Sequence, residues 1–111
     1  MGGISHGAAI AARMAFQFPD TFGSLGVFSG GIGDSEKPTL DTWIASTKNR
    51  PRVLIDIGDQ DRIMPLTQNL LDVLDSQKVS YKLNIGTGGH NWAFWSARME
   101  AYLLWFAEAW R

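Results

Sequence analysis

Apolar positions along this chain alternate between a helical and a strand-like rhythm. From 6 to 18 nothing interrupts a helix. Ala9, Ala12, Ala15 and Phe16 recur there at helical spacing, and Pro19-Asp20 closes the run. The small alanines predict a helix lying close against a sheet. Residues 22–31 read as a short strand, with Leu25, Val27 and Phe28 as its apolar content and a glycine turn at its end. Gly33, Asp34, Ser35 and Pro38 make 31–39 a loop, and 40–46 a short helix burying Trp43 and Ile44. The near-continuous apolar run at 52–58 suits a parallel strand covered on both faces. Pro65 then opens a helix to Gln77, with Leu66, Asn69, Leu70, Val73 and Leu74 inward. Val79, Tyr81, Leu83 and Ile85 alternate onto one face of a further strand. A long helix over 92–110 ends the chain, with Trp95, Met99, Tyr102, Leu103, Phe106 and Trp110 as its apolar face. Four of the five tryptophans fall in this helix, and core packing against the sheet is the expectation for them.

Strands alternating with helices predict a parallel α/β architecture. At 111 residues the chain is one domain at most. Its net charge of −1 gives no basic face, which argues against a nucleic-acid partner. The absence of cysteine excludes a disulfide framework, a thiolate nucleophile and a cysteine-based zinc site. No apolar run approaches membrane-spanning length.

Candidate chemistry gathers at strand ends, where open parallel sheets bind their ligands. Gly3-Ile4-Ser5-His6-Gly7 fits G-x-S-x-G, a tight strand-to-helix turn that lifts a serine hydroxyl clear of the sheet. Both glycines are expected to be required for steric reasons. Asp61 follows the strand at 52–58 and His90 follows the strand at 79–85, so the chain order is Ser, Asp, His. A serine hydroxyl needs a base within hydrogen-bond reach, which His90 supplies. A carboxylate holds the imidazole tautomer. Asp59 and Asp61 both stand nearby; Asp61 is favoured because it lies further from the strand end, and a solvated loop or helix-capping role is expected for Asp59. Asp56 interrupts the strand itself and is read as a hydrogen-bonded element. A metal site built from Asp56, Asp59 and Asp61 lacks the calcium-loop spacing, and no metal is expected. His6 is expected to contribute its backbone N–H to a developing oxyanion rather than its ring.

With these motifs in hand, the chain resembles the C-terminal half of the esterase-D-like esterases of the α/β-hydrolase superfamily. That group includes feruloyl and acetyl-xylan esterases, S-formylglutathione hydrolases, enterochelin esterases and mycolyltransferases. The resemblance rests on Gly3-Ile4-Ser5-His6-Gly7-Ala8, Phe18-Pro19-Asp20-Thr21-Phe22-Gly23, Phe28-Ser29-Gly30, Ile57-Gly58-Asp59-Gln60-Asp61 and Gly88-Gly89-His90-Asn91-Trp92-Ala93-Phe94-Trp95. It implies a partial α/β-hydrolase fold, parallel strands flanked by helices, with the N-terminal half of the domain outside residues 1–111. It also implies Ser5 as nucleophile, Asp61 as acid and His90 as base. The substrate would be a small-molecule or carbohydrate-linked ester, and no cofactor is implied.

Only Met1 and two glycines precede Ile4, so the strand entering the turn is expected to lie upstream of Met1. The strand near Ser24 would then lack a neighbour. An exposed sheet edge of that kind predicts low stability, or self-association through the edge. Two functions are carried forward: a serine ester hydrolase, and a catalytically incompetent fragment acting as a binding module.

Overall fold

The computed structural model describes residues 1–110. The apolar rhythms become β1 (Gly2–Ile4), α1 (His6–Gln17), β2 (Ser24–Phe28), a 3₁₀ turn at Asp34–Glu36, α2 (Lys37–Ala45), β3 (Arg52–Gly58), α3 (Met64–Ser76), β4 (Lys82–Gly86) and α4 (Trp92–Ala107), followed by a 3₁₀ turn at Glu108–Trp110. The four strands form one sheet in the order β1-β2-β3-β4, and every pairing is parallel.

Neighbouring parallel strands joined by crossovers of one hand carry their helices on one face. Here α1, α2 and α3 share the larger core, in which Ala8, Ala12, Leu25, Val27, Ile44, Ile55, Leu70 and Leu74 are fully buried. The alanines of α1 bring that helix close to β1 and β2, as its composition predicts. Helix α4 follows the last strand and covers the opposite face, where Phe28, Leu54 and Tyr102 form a second core. The rings of Phe28 and Tyr102 stack 3.7 Å apart. Covered on both faces, β3 keeps the bounds its near-continuous apolar run predicts.

The register sets Ile4, Phe28, Asp56 and Asn84 in one row across the sheet. Asp56 is 1% exposed. It accepts from Arg98 Nε at 2.6 Å and a terminal guanidinium nitrogen at 2.8 Å, and from the Tyr102 hydroxyl at 2.5 Å. Burial pushes the Tyr102 hydroxyl pKa well up, and the Asp56 carboxylate beside it adds to the shift, so the phenol stays a donor. Asp56 is thus the hydrogen-bonded strand element that the sequence suggests.

Several expectations need correction. The strand entering Ser5 is present: Gly2–Ile4 pairs with Gly26–Phe28, so β2 has a neighbour on that side. Two glycines in three residues conceal it, because glycine disfavours strands on its own and β2 supplies the pairing. Helix α2 starts at Lys37 rather than Leu40, with Pro38 in its first turn. Val79 and Tyr81 precede β4; the Val79 N–H instead closes α3 on the Leu74 carbonyl at 2.9 Å. Ile85 is exposed, and so is Leu66, whose inward place is taken by Thr67.

The largest departure concerns α4. Leu103, Trp92 and Trp110 are exposed, and the fully buried positions are Phe94 and Tyr102. Core packing therefore fails for two of the four tryptophans. A helix apolar all round, laid over one sheet, buries one stripe and leaves the rest uncovered. Trp105 does pack against the second core, beside Phe106, and lies 4.2 Å from the Arg52 guanidinium.

Removing one partner of a buried pair costs about 3–5 kcal/mol when the other charge is stranded. Asp56 is the deeper group, while the Arg98 side chain is 31% exposed. Arg98→Met is therefore expected to destabilise the chain more than Asp56→Asn, as read from chemical denaturation midpoints.

Candidate active site

Ser5 sits between β1 and α1 with φ 58° and ψ −118°, a conformation that side-chain residues adopt at a cost. Its N–H donates to the Phe28 carbonyl at 2.9 Å, continuing the β1–β2 ladder one residue further. Its carbonyl accepts from Ala8 N at 3.0 Å and Ala9 N at 3.3 Å, which starts α1. The turn is thus clamped on both sides. A Cβ at Gly3 would stand 2.2 Å from the Gly7 carbonyl, so Gly3 is required. At Gly7 a Cβ meets nothing within 4 Å, which corrects the expectation that both glycines are sterically needed. The second required glycine is Gly30, where a Cβ would come within 2.5 Å of the Ala8 side chain.

The loop after β3 and the loop after β4 are laced together. Asp59 N donates to the Gly86 carbonyl at 2.7 Å and Gln60 N to the Gly88 carbonyl at 2.8 Å. The Asp59 carboxylate accepts from Gly88 N at 3.1 Å. Asp59 is exposed in its loop, as expected, and in addition braces the turn before His90. Asp61 follows with a fully buried side chain. Its Oδ1 accepts from Ile63 N at 2.9 Å.

His90 stands one residue before Asn91, whose Oδ1 caps α4 by accepting from Phe94 N at 3.0 Å. The ring joins the two other candidates. His90 Nδ1 lies 2.9 and 3.1 Å from the two oxygens of Asp61, and His90 Nε2 lies 2.9 Å from Ser5 Oγ. A carboxylate only accepts, so Nδ1–H donates to Asp61 and Nε2 is left to accept the Ser5 hydroxyl proton. The three residues, remote in the chain, lie in one hydrogen-bonded line.

Sequence reasoning missed what holds the ring. Trp95 packs against the imidazole edge-on, with centroids 4.9 Å apart. Its Nε1 donates to Ser29 Oγ at 2.7 Å. Ser29 is fully buried at the end of β2 and has a positive φ of 55°. Its N–H donates to the Asp56 carbonyl at 2.9 Å. A serine just past a strand end was the one available signal, and it reads equally as a turn.

His6 is exposed at the first position of α1. Its N–H belongs to the first turn, whose donors have no acceptor within the helix. A cleft of about 250 Å³ opens beside Ser5 and His90, with Arg13, Glu36, Arg62 and Leu66 on its walls. Arg13 Nε donates to Glu36 Oε1 at 2.6 Å, and Gly33 N donates to Glu36 Oε2 at 2.8 Å. Partial desolvation opposes the Glu36 charge, but the Gly33 N–H and the Arg13 guanidinium outweigh it and hold Glu36 below the usual carboxylate range. Asp56, Asp59 and Asp61 do not converge: each carboxylate faces a different partner. Among the described residues no cluster of three or more His, Asp or Glu gathers to hold a metal.

Residues 1–106 match the model of an esterase family, described as "Putative esterase". The chain belongs to that family. Among solved structures it is similar to an S-formylglutathione hydrolase (FrmB) from Staphylococcus aureus, at 22% identity and a TM-score of 0.82 over 94% of this chain and 49% of that one. It is similar to FphF, a fluorophosphonate-binding serine hydrolase of Staphylococcus aureus, at 20% identity and a TM-score of 0.83, covering 94% of this chain and 52% of that one. A ferulic acid esterase aligns at 16% identity and a TM-score of 0.68, over 90% of this chain and 48% of that one. These likenesses show the α/β-hydrolase fold, and the chain spans about half the length of each. No match is found among curated protein sequences.

The turn can be tested at its two glycines. Gly3→Ala is expected to destabilise by about 1–3 kcal/mol through overlap with backbone. Gly7→Ala is expected to stabilise by up to about 1 kcal/mol, because alanine is the better helix former. Chemical denaturation reads both. The Glu36 tether predicts a pH effect. With its pKa depressed on folding, its stabilisation is complete above the ordinary carboxylate pKa and is lost as pH falls through the folded value. Glu36→Gln should lower the melting temperature at pH 7, by an amount equivalent to about 1 kcal/mol or less, and the difference should shrink in thermal melts taken at successively lower pH below the ordinary carboxylate range.

Proposed function

We propose that the chain carries the catalytic residues of a serine carboxylic ester hydrolase, and that it forms the C-terminal part of such a domain. One observation carries the reading: the unbroken line from Ser5 Oγ through His90 to Asp61. Membership of an esterase family supports it.

In this reading the Ser5 oxygen attacks the ester carbonyl carbon while His90 Nε2 takes its proton. The carbonyl oxygen becomes an oxyanion facing the His6 N–H. Asp61 holds the imidazole in the tautomer that accepts at Nε2 and stabilises the imidazolium. That imidazolium then returns the proton to the departing alcohol oxygen, and the C–O bond breaks to leave an acyl group on Ser5. Water attacks the acyl carbon with His90 again as base, releasing the acid and restoring the hydroxyl. Serine, imidazole and carboxylate suffice, so no cofactor is invoked.

Substrates in this reading are small-molecule or carbohydrate-linked esters. A net charge of −1 offers nucleic acid no basic face. No helix among the described residues is long and apolar enough to cross a membrane. The outer edge of β1 is the surface we propose for any pairing with a second copy.

A second reading is favoured by the span of the chain, about half of the structures it resembles. Oxyanion sites ordinarily combine two or more donors, and loss of one typically costs about 10²–10³-fold in rate. With the His6 N–H as one donor alone, a fragment that binds esters without turning them over is the alternative.

A fluorophosphonate probe separates the two. Covalent labelling that disappears in Ser5→Ala is the expected result; an unlabelled wild-type chain favours the binding fragment. Asp61→Asn should lower kcat by about 10⁴-fold without abolishing binding.

A further inference from the structure

The cleft beside Ser5 carries an arginine with no ion-pair partner among the described residues. Arg62 is exposed and lines the same cleft as Ser5 and His90. Two acids stand close by, and both are occupied. Glu36 gives one oxygen to Arg13 and the other to the Gly33 N–H. Asp61 is buried and gives its oxygens to His90 and the Ile63 N–H. Among the described residues no ion pair involves Arg62. The Arg13–Glu36 pair satisfies itself, so Arg62 is the guanidinium of this cleft left without an ion-pair partner.

The other walls describe what could bring the missing charge. Gly30, Gly31 and Gly33 present backbone, and Ile63 and Leu66 present aliphatic surface. Leu66, expected from its spacing to face the core, is instead 38% exposed in this cleft. At about 250 Å³ the space is below that of a pocket for a drug-sized ligand. Guanidinium is the side-chain group best matched to a carboxylate, through paired N–H donors.

We propose that Arg62 is the specificity-determining residue of this cleft, and that the preferred substrates are short esters bearing a carboxylate a few methylenes from the ester group. The proposal rests on the ester-hydrolase reading of Ser5. Leu66 and Ile63 cover the aliphatic spacer, Arg62 pairs with the carboxylate, and the ester carbonyl is left at Ser5. A neutral ester of equal size leaves the guanidinium in water and gains nothing from it.

Binding to the Ser5→Ala chain, measured by titration calorimetry, tests this without turnover. Two matched pairs place the charge on either side of the ester: monomethyl glutarate against methyl pentanoate, and 4-acetoxybutanoate against butyl acetate. The expected result is that the anionic member of at least one pair binds about tenfold more tightly. That preference should vanish in Ser5→Ala/Arg62→Gln, return in part in Ser5→Ala/Arg62→Lys, and weaken as salt is raised. Affinities equal within each pair, or a preference that survives Arg62→Gln, overturn the proposal. The same esters offered to the wild-type chain keep the two readings apart. Selective binding without hydrolysis refutes the hydrolase and leaves Arg62 its role, whereas hydrolysis of both members at equal kcat/KM refutes Arg62 alone.

Discussion

A single buried carboxylate fixes the last helix on this sheet. Asp56 sits in the middle of β3 with its side chain turned to α4, where Arg98 and Tyr102 grip it. Its backbone carbonyl reaches the other way along the sheet and holds the N–H of Ser29. Burying a charge is costly, and here the cost is offset because each oxygen of the carboxylate has a strong donor. The consequence is geometric. Helix α4 cannot slide or rotate on the sheet without breaking this cluster, so the residues at its start are placed by a contact two turns further on.

Those residues are the ones that matter at the rim. Trp95 lies three positions before Arg98 on α4. It spans from Ser29, itself held by Asp56, to the edge of His90. Phe94 lies under the Arg98 guanidinium at 4.7 Å and closes the space beside Gly88. On the opposite side the Asp59 carboxylate ties the Gly88 N–H. The imidazole is therefore held by packing along one edge, by Asp61 at one nitrogen and by the loop braces beneath it. A ring so constrained keeps its alignment with Ser5 at little entropic cost, which the proton transfer we propose would require.

Strain is placed where the strands end. Ser5 and Ser29 both have positive φ, and each follows the last residue of an adjacent strand. Each costs of order 1–3 kcal/mol unless the surroundings impose it. Around Ser5 the imposing groups are the Phe28 carbonyl and the first N–H groups of α1; around Ser29 they are the Asp56 carbonyl and the Trp95 indole. The next residue, Gly30, is fixed by Thr67, whose buried hydroxyl donates to its carbonyl at 2.7 Å. The turn after β2 is thus locked to α3, and the cleft takes its wall from that junction.

The order of elements, the limits of β3, and Ser5, Asp61 and His90 as partners could all be read from the chain, because periodicity, turn residues and motif order are local properties. The preference for Asp61 over Asp59 was also legible, but the work Asp59 does was not, since it depends on a loop 29 residues away. Strand β1 was hidden because its three residues owe their form to β2 rather than to their own propensity. The exposed flank of α4 was misread for a similar reason: apolar spacing says which residues could be buried, and only the shape of the sheet beneath decides which are. Trp95, Ser29 and the unpaired Arg62 acquire meaning only from what faces them. Local sequence determined the pieces and their order, while contacts between distant segments, which leave no periodic trace, decided how the site is held and what charge it presents.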